Sequence, residues 1–149
     1  DFTYEDHEKQ EKYFRKFISL GKKLNIPIIV HTRKAEKRVI EILEQEKAKK
    51  VILHCFSGKH KLLKRTELLD VYFSIPPIIV HSRHFQELVA KVPLTRLLTE
   101  TDSPWMAPVK QERNEPANIV VTVKEIAKIK KLEQGEVMKA IFSNYQKLF

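Results

Sequence analysis

The chain has 149 residues, and its 28 lysines and arginines exceed its 19 aspartates and glutamates, which gives a formal net charge of +9 at pH 7. Its single cysteine, Cys55, excludes an intrachain disulfide and predicts a reducing, cytoplasmic compartment. No apolar run approaches the roughly 20 residues that cross a membrane, so the sequence predicts neither a membrane span nor a membrane partner.

The excess of positive charge has two interpretations. It predicts attraction to a polyanion, because neutralising phosphates supplies most of the sequence-independent affinity for nucleic acid. It is also typical of the Lys- and Glu-rich surfaces of heat-stable proteins, and 32% of the residues are charged. The lysines are dispersed over predicted helices, which favours the second interpretation.

Four apolar runs, at intervals of about one strand–helix unit, predict β-strands. They begin near Ile26, Val51, Val71 and Leu97, and each is continuous rather than alternating, as in parallel strands covered on both faces. Between them, apolar residues recur at helical spacing: Phe14, Phe17, Ile18 and Leu24; Val39, Ile40 and Leu43; Leu62, Leu63 and Leu69; Phe85, Leu88 and Val89. This alternation predicts an α/β fold with a parallel sheet.

Three of the predicted strands end in residues that can bind a metal ion. The first ends at His31, the second at His54, and the fourth leads into Glu100 and Asp102. A parallel α/β sheet binds ligands at the carboxyl ends of its strands, and in a (β/α)8 barrel several strand ends meet at one mouth. His and Asp together suit a borderline-to-hard divalent cation.

A long segment without a predicted helix or strand, residues 103–116, follows the Asp102 strand. It is rich in proline and charge. Long loops at the catalytic face of an α/β fold usually carry function. The sequence therefore predicts that this segment borders the same site.

Six motifs in order resemble the TatD family of metal-dependent deoxyribonucleases, and together they run along the whole chain. They are Pro27-Ile-Ile-Val-His31-Thr-Arg33, His54-Cys-Phe-Ser-Gly58, Phe73-Ser-Ile75, Leu98-Thr-Glu-Thr-Asp-Ser-Pro104, Arg113-Asn-Glu-Pro116 and Asn144-Tyr-Gln-Lys-Leu-Phe149. The resemblance implies a (β/α)8 TIM-barrel type of fold. It also implies phosphodiester hydrolysis in DNA, by an exonuclease that prefers single strands, with one or two Mg²⁺, Mn²⁺ or Zn²⁺ ions.

The resemblance assigns the metal to His31, His54 and Asp102. Asp102 would also orient or deprotonate the attacking water, and Glu100 would act beside it, at or just behind the metal. The alternative for the histidines is a hydrogen-bonding role at the strand ends. The alternative for Asp102 is capping of a helix that starts at Ser103.

The chemistry and position of residues near these ligands predict a group of substrate contacts. Arg33 would clamp a phosphate with its planar guanidinium, or else form a surface salt bridge. Ser57 and Gly58 would offer backbone N–H groups to a phosphate at a helix start, unless Ser57 only caps that helix. Arg113 and Asn114 would touch the substrate from the long loop.

Trp105 lies in the same loop. It would stack on a splayed base, or else serve as a buried anchor of the loop.

One departure from the family pattern is large. The family also has a His-x-His pair on the first barrel strand and a glutamate on the fourth, and this sequence has no His-x-His. Asp1 resembles the last residue of the glutamate segment. We therefore expect residues 1–149 to form a single domain that supplies strands 5–8. The missing N-terminal half, or a second copy, would cover its open edges.

With those upstream ligands absent, the isolated chain is predicted to be inactive or severely weakened. Two other functions stay open. One is another amidohydrolase-like metal hydrolase, such as a deacylase acting on aminoacyl-tRNA. The other is a non-catalytic half-barrel remnant.

Overall fold

The computed structural model describes residues 6–149 and confirms the predicted alternation of strands and helices. Asp1, expected to end an upstream glutamate segment, lies outside these residues. The helices are α1 (His7–Leu24), α2 (Glu36–Gln45), α3 (Leu63–Thr66), α4 (Arg83–Lys91), α5 (Ile119–Lys130) and α6 (Gln134–Leu148). The strands are β1 (Ile28–His31), β2 (Val51–His54), β3 (Val71–Ile75) and β4 (Leu97–Thr99).

The chain divides into two compact units. The first contains the chain up to Tyr72 together with the last two residues, Leu148–Phe149, and the second is Phe73–Lys147. In the first unit β1 and β2 are parallel, with Ile28 opposite Val51 and His31 opposite His54. All of β2 except its terminal histidine is buried, as its continuous apolar run predicts. Buried side chains of α1, α2 and the β2 loop complete this core, among them Ile18, Ile40, Leu43 and Phe56.

Helices α1 and α2 of the first unit are also joined by charge. The Arg38 guanidinium is hydrogen-bonded to the Glu11 carboxylate, with Nη2 2.6 Å from Oε2. Arg15 pairs with Glu46 in the same way at the other end of α2. These pairs connect the two helices at the surface. A single surface ion pair adds little to stability.

In the second unit β3 and β4 are parallel, with Phe73 opposite Leu97 and Ile75 opposite Thr99. The 3₁₀ segment Pro77–Val80 and helices α4 and α5 supply the rest of the core, including Ile79, Leu88 and Ile126.

The entry into β4 is held by Asn144 of α6. Its Nδ2 donates to the carbonyls of Leu94 and Leu97, both at 2.8 Å, and the residue is 1% exposed. An amide is needed here because buried carbonyls without a partner are costly. The final sequence motif thus includes a residue that fastens the strand leading to Glu100 and Asp102.

Two helix predictions differ from the structure. The helix expected over 62–69 is a 3₁₀ turn, His60–Leu62, followed by the four residues of α3. In α1 only Ile18 of the predicted apolar face is buried, whereas Phe17 is 62% and Leu24 54% exposed. Helical spacing identifies an apolar face, but it does not say which part of the protein covers that face.

Candidate active site

The ends of β1 and β2 bring two predicted metal ligands together. The rings of His31 and His54 have centroids 5.8 Å apart and planes inclined by 37°. Rings that share one ion lie within about 6 Å of each other, because each metal–nitrogen bond is about 2.1 Å. His31 is exposed and His54 half-buried. The pair therefore fits two positions on one divalent cation.

The turn after β2 is closely packed and strained. Cys55 adopts a left-handed φ of 45°, a conformation that a non-glycine residue rarely takes and that concentrates at functional sites. Gly58 is buried, and a Cβ there would lie 2.4 Å from the Phe56 ring and 2.9 Å from Cβ of Glu36. The glycine of this motif is required by close packing.

Ser57 has a partner other than the one predicted. Its hydroxyl donates to Oε1 of Glu36 at 2.9 Å, and the backbone N–H of Lys34 donates to the same oxygen at 3.2 Å. The elements that follow are the short 3₁₀ turn and α3, which are too short for the backbone dipole of a helix start. Phosphate binding at Ser57 and Gly58 stays a prediction. Glu36, which joins the loops after β1 and β2, gave no signal in the sequence.

Arg33, two residues beyond His31, is exposed and makes no ion pair within residues 6–149. The salt-bridge alternative is therefore not observed in that part of the chain. A guanidinium without a carboxylate partner remains available to an anionic ligand.

Glu100 is positioned by β3. The Ser74 hydroxyl donates to Oε2 of Glu100 at 2.5 Å, and the Glu100 backbone N–H donates to the Ile75 carbonyl at 3.1 Å. Ser74 is 4% exposed, so this polar side chain is buried with a carboxylate as its acceptor. Sequence reasoning missed Ser74 as a functional candidate, although it is the middle residue of the Phe73-Ser-Ile75 motif.

Asp102 is half-buried and has a left-handed φ of 57°. No helix begins at Ser103; the described chain has no regular element between β4 and the 3₁₀ turn Pro116–Asn118. The helix-cap alternative for Asp102 is therefore wrong. The left-handed backbone turns the chain sharply after β4, and the Asp102 carbonyl accepts a hydrogen bond from the Trp105 N–H at 2.9 Å.

The long loop is organised around Asn114, which is 2% exposed. Its Nδ2 donates to the carbonyls of Thr101 and Trp105, each at 2.6 Å. Its Oδ1 accepts from the Glu115 N–H at 2.9 Å and from Nδ2 of Asn118 at 2.8 Å. The side chain predicted to touch substrate thus holds the loop in place, and direct substrate contact stays a prediction.

Arg113 precedes Asn114 in the same motif but, unlike Asn114, it is exposed. It makes no ion pair in the described part of the chain and lines two cavities of about 430 and 550 Å³. Trp105, which lines the larger one, is 73% exposed. The buried-anchor alternative for Trp105 is therefore wrong.

The predicted ligands are divided between the two units. His31 and His54 belong to the first unit, and Glu100 and Asp102 to the second. Among residues 6–149, no group of three or more His, Cys, Asp or Glu side chains is arranged to hold a metal ion. Within the predicted metal centre, the structure gives a distance and an angle between two ligands for the pair His31 and His54.

The family model described as "TatD related DNase" matches residues 1–149. The chain belongs to the TatD family.

Several TatD relatives resemble the chain along almost its entire length. It is 38% identical over 149 residues to an uncharacterized metal-dependent hydrolase of Methanocaldococcus jannaschii, covering 100% of this chain and 59% of that protein. It is 40% identical over 147 residues to the deoxyribonuclease TATDN3 of Homo sapiens, covering 99% and 54%. The chain thus spans little more than half the length of the relatives it matches.

Solved structures show the same fold. The TatD homologue YjjV of Escherichia coli superimposes with a TM-score of 0.87 at 23% identity, covering 98% of this chain and 59% of that one. A TatD-family hydrolase of Entamoeba histolytica gives 0.78 at 20% identity, covering 98% and 58%. The chain therefore has the α/β fold with a parallel sheet, of the TIM-barrel type, that TatD proteins share.

Within residues 6–149, no helix is both long enough and apolar enough to cross a membrane.

Proposed function

We propose that this chain is part of a TatD-type metal-dependent hydrolase that cleaves phosphodiester bonds in DNA, as an exonuclease on single strands. The observation that carries the proposal is the in-register pair of His31 and His54, whose rings are spaced for one cation. The name of the human relative, a deoxyribonuclease, supports DNA as the substrate. The name of the archaeal relative, a metal-dependent hydrolase, supports a divalent metal.

In this proposal His31, His54 and Asp102 hold one or two divalent ions, Mg²⁺, Mn²⁺ or Zn²⁺. A bound ion would supply Lewis-acid chemistry, polarising the phosphate and making water more acidic. Imidazole and carboxylate are ligands that these metals accept.

The chain's own groups carry the rest of the chemistry. The Asp102 carboxylate orients the attacking water and accepts its proton. Glu100, held by Ser74, keeps a fixed carboxylate beside that position. Arg33 and Arg113, both exposed, neutralise phosphates, and Ser57 and Gly58, in the loop after His54, offer their backbone N–H groups to a phosphate.

We further propose that residues 1–149 form one domain corresponding to strands 5–8 of the barrel. The identity with relatives of nearly twice the length, and the absence of a His-x-His motif, support this assignment. A partner would supply the first four strands, from an N-terminal half or from a second copy. The isolated chain is then inactive or severely weakened. Its cytoplasmic location also stays a prediction.

Metal binding by the histidine pair is tested by calorimetric titration of Mn²⁺ or Zn²⁺ into the chain and its variants. We expect His31→Ala and His54→Ala each to weaken metal affinity by about tenfold or more, because one ligand of a shared ion is lost. His84→Ala is the matched control, since His84 lies in α4. The assignment fails if His84→Ala weakens binding as much as the strand-end variants.

The reaction is tested on a panel of single-stranded DNA, aminoacyl-tRNA and small amides, with the intact protein purified from its source. We expect DNA to be digested, and Asp102→Asn to reduce the rate by about 10²–10⁴-fold, the usual effect of losing a general base. Hydrolysis of aminoacyl-tRNA alone would identify the related deacylase instead. No tight metal binding, together with no turnover of any substrate, would identify a remnant.

A further inference from the structure

Trp105 is the single tryptophan of the chain, and it is 73% exposed. It lies three residues after Asp102, in the long loop that follows β4. Large aromatic side chains are usually mostly buried, because each removes a large apolar area from water. The exposed indole of this loop is therefore a candidate contact for a ligand.

The backbone of Trp105 is fixed on both sides of the ring. Its N–H donates to the Asp102 carbonyl at 2.9 Å, and its carbonyl accepts from Nδ2 of Asn114 at 2.6 Å. The Asn114 N–H also donates to the Pro104 carbonyl at 3.0 Å. The indole is thus held outward on a braced backbone. A ligand that packs against it meets a surface whose backbone is already ordered.

The ring borders a cavity of about 550 Å³ within the second unit. Its lining combines apolar and basic residues, with Pro104, Trp105 and Val109 among the apolar ones and His81, Lys110 and Arg113 as the basic ones. Lys110 and Arg113 are exposed and make no ion pair within the described residues. Glu112 is the one carboxylate among the residues that line it.

An aromatic face next to unpaired cations is the combination that binds single-stranded nucleic acid. Bases stack on the ring, and the cations neutralise the backbone phosphates. A double helix does not offer this contact, since its bases are stacked on one another. An apolar protein partner would use the ring but would leave Lys110 and Arg113 without partners.

We propose that Trp105 is a stacking platform for a base of the DNA strand beside the cleaved phosphate, with Lys110 and Arg113 contacting the adjoining phosphates. This inference rests on the proposed function, because it takes DNA as the ligand. It adds a reason for a single-strand preference, namely that an unpaired base is required to cover the ring.

The single tryptophan makes the test direct, because all indole fluorescence comes from Trp105. The chain is titrated, without added metal, with an oligodeoxythymidine of about 12 nucleotides, a length that covers the usual binding site of one nucleic-acid module. Inorganic polyphosphate of similar charge is the comparison ligand. We expect the oligonucleotide to quench the fluorescence and polyphosphate to leave it nearly unchanged.

Affinity is measured separately from the anisotropy of a dye-labelled oligonucleotide. We expect Trp105→Ala to weaken binding by about tenfold, and Trp105→Phe to weaken it less because a ring is kept. Phe142→Ala, which removes another exposed aromatic ring, is the matched control. Lys110→Ala and Arg113→Ala should each lower the slope of log affinity against log salt by about 0.7.

The outcomes separate this inference from the proposed function. Oligonucleotide binding without quenching, and with unchanged affinity in Trp105→Ala, overturns the platform and leaves the nuclease proposal intact. Equal quenching by polyphosphate also overturns the platform. No oligonucleotide binding in the anisotropy assay, while metal still binds, counts against DNA as the substrate and overturns both. Trp105→Phe keeps the test valid if Trp105→Ala fails to fold.

Discussion

Asn114 is a buried amide whose every polar atom is used within one loop. Removing it in Asn114→Ala leaves the carbonyls of Thr101 and Trp105 and the N–H of Glu115 without their partner. An unsatisfied buried group costs about 1–3 kcal/mol, but Trp105 and Glu115 are exposed residues whose backbone groups water can partly satisfy, so we expect a total loss of roughly 2–4 kcal/mol in the free energy of unfolding. Urea unfolding, followed by Trp105 fluorescence, measures both the loss and the loosening of the loop.

Asn118→Ala is the graded control for that variant. Asn118 gives a single hydrogen bond to Asn114 and is half-buried, so its removal should cost about 1 kcal/mol or less. Equal effects of the two variants would contradict the central position of Asn114 in the loop.

The ion pair between α1 and α2 makes stability depend on pH. The hydrogen bond from the Arg38 guanidinium lowers the pKa of the Glu11 carboxyl from its ordinary value, although partial burial opposes this. A lowered pKa means that the folded state binds the proton less tightly than the unfolded state. The stabilisation is therefore complete above the ordinary pKa of about 4.5 and is lost as the pH falls through the folded value.

We accordingly expect Glu11→Gln to lower the urea midpoint at about pH 7, and we expect this deficit to shrink as the pH falls through the lowered pKa of the Glu11 carboxyl, because protonation removes the same charge. Glu112→Gln, which removes a carboxylate without an ion pair in the described chain, is the control. A deficit of Glu11→Gln that persists in acid would assign the effect to packing rather than to charge.

At the scale of single elements, the strands were predictable and the irregular segments were not. The continuous apolar runs placed β1 to β4. Strands β2, β3 and β4 are mostly buried, as such runs predict, whereas Ile29 of β1 is 68% exposed. The short α3 was not foreseen, since apolar spacing alone does not distinguish a 3₁₀ turn from a helix of two turns. A loop over residues 103–116 was predicted, and the structure has it over 100–115. Its internal organisation was not predictable, because it depends on Asn114, whose partners are up to 13 residues away.

The loop after β2 shows how tightly an element can constrain one position. Gly58→Ala places a methyl group 2.4 Å from the Phe56 ring, and overpacking of this kind costs about 1–3 kcal/mol. Gly135→Ala, in the first turn of α6, meets nothing within 4 Å and should be neutral or stabilise by up to about 1 kcal/mol. Thermal unfolding of the two variants side by side measures the difference, and similar melting temperatures would contradict it.

At the scale of the whole molecule, α1 has an apolar stripe that the described chain leaves exposed. Tyr13, Phe17, Leu20 and Leu24, spaced as one helical face, are 47–62% exposed. Helices of a globular protein normally bury such a face. The stripe agrees with the proposal that another part of the barrel covers this side.

Phe17→Glu tests that covering. If the chain associates with a partner through α1, a buried charge should weaken the association at least tenfold while leaving the monomer folded, since Phe17 is 62% exposed in it. Sedimentation of the chain, alone and with the remaining portion of the protein, measures the complex. Ser19→Glu, on an exposed position of the same helix, is the control, and equal effects of the two changes would contradict a specific interface.

The intact mass of the native protein is the complementary measurement. A mass near the ~28 kDa of a barrel of about 250 residues would place the remaining ligands on the same polypeptide. A mass of 17.6 kDa would mean that a separate partner completes the site.

The candidate site was predictable to the extent that it depends on strand ends. His31 and His54 could be placed together because parallel strands end at one edge of a sheet, and the register confirms this. Ser74 and Glu36 were not predictable, because their partners, 26 and 21 residues away, are chosen by packing that no local pattern records. The assignment of the metal to three residues still rests on the family resemblance.

The two hydrogen bonds from Asn144 to the start of β4 affect the order in which the site forms during synthesis. Leu97 and Asn144 are separated by 47 residues, which a ribosome takes about 2–10 s to add. Throughout that interval the carbonyls at the start of β4 lack their amide donor. The strand that leads to Asp102 is therefore fastened only after α5 and most of α6 have been translated, so this half of the site matures late on the nascent chain.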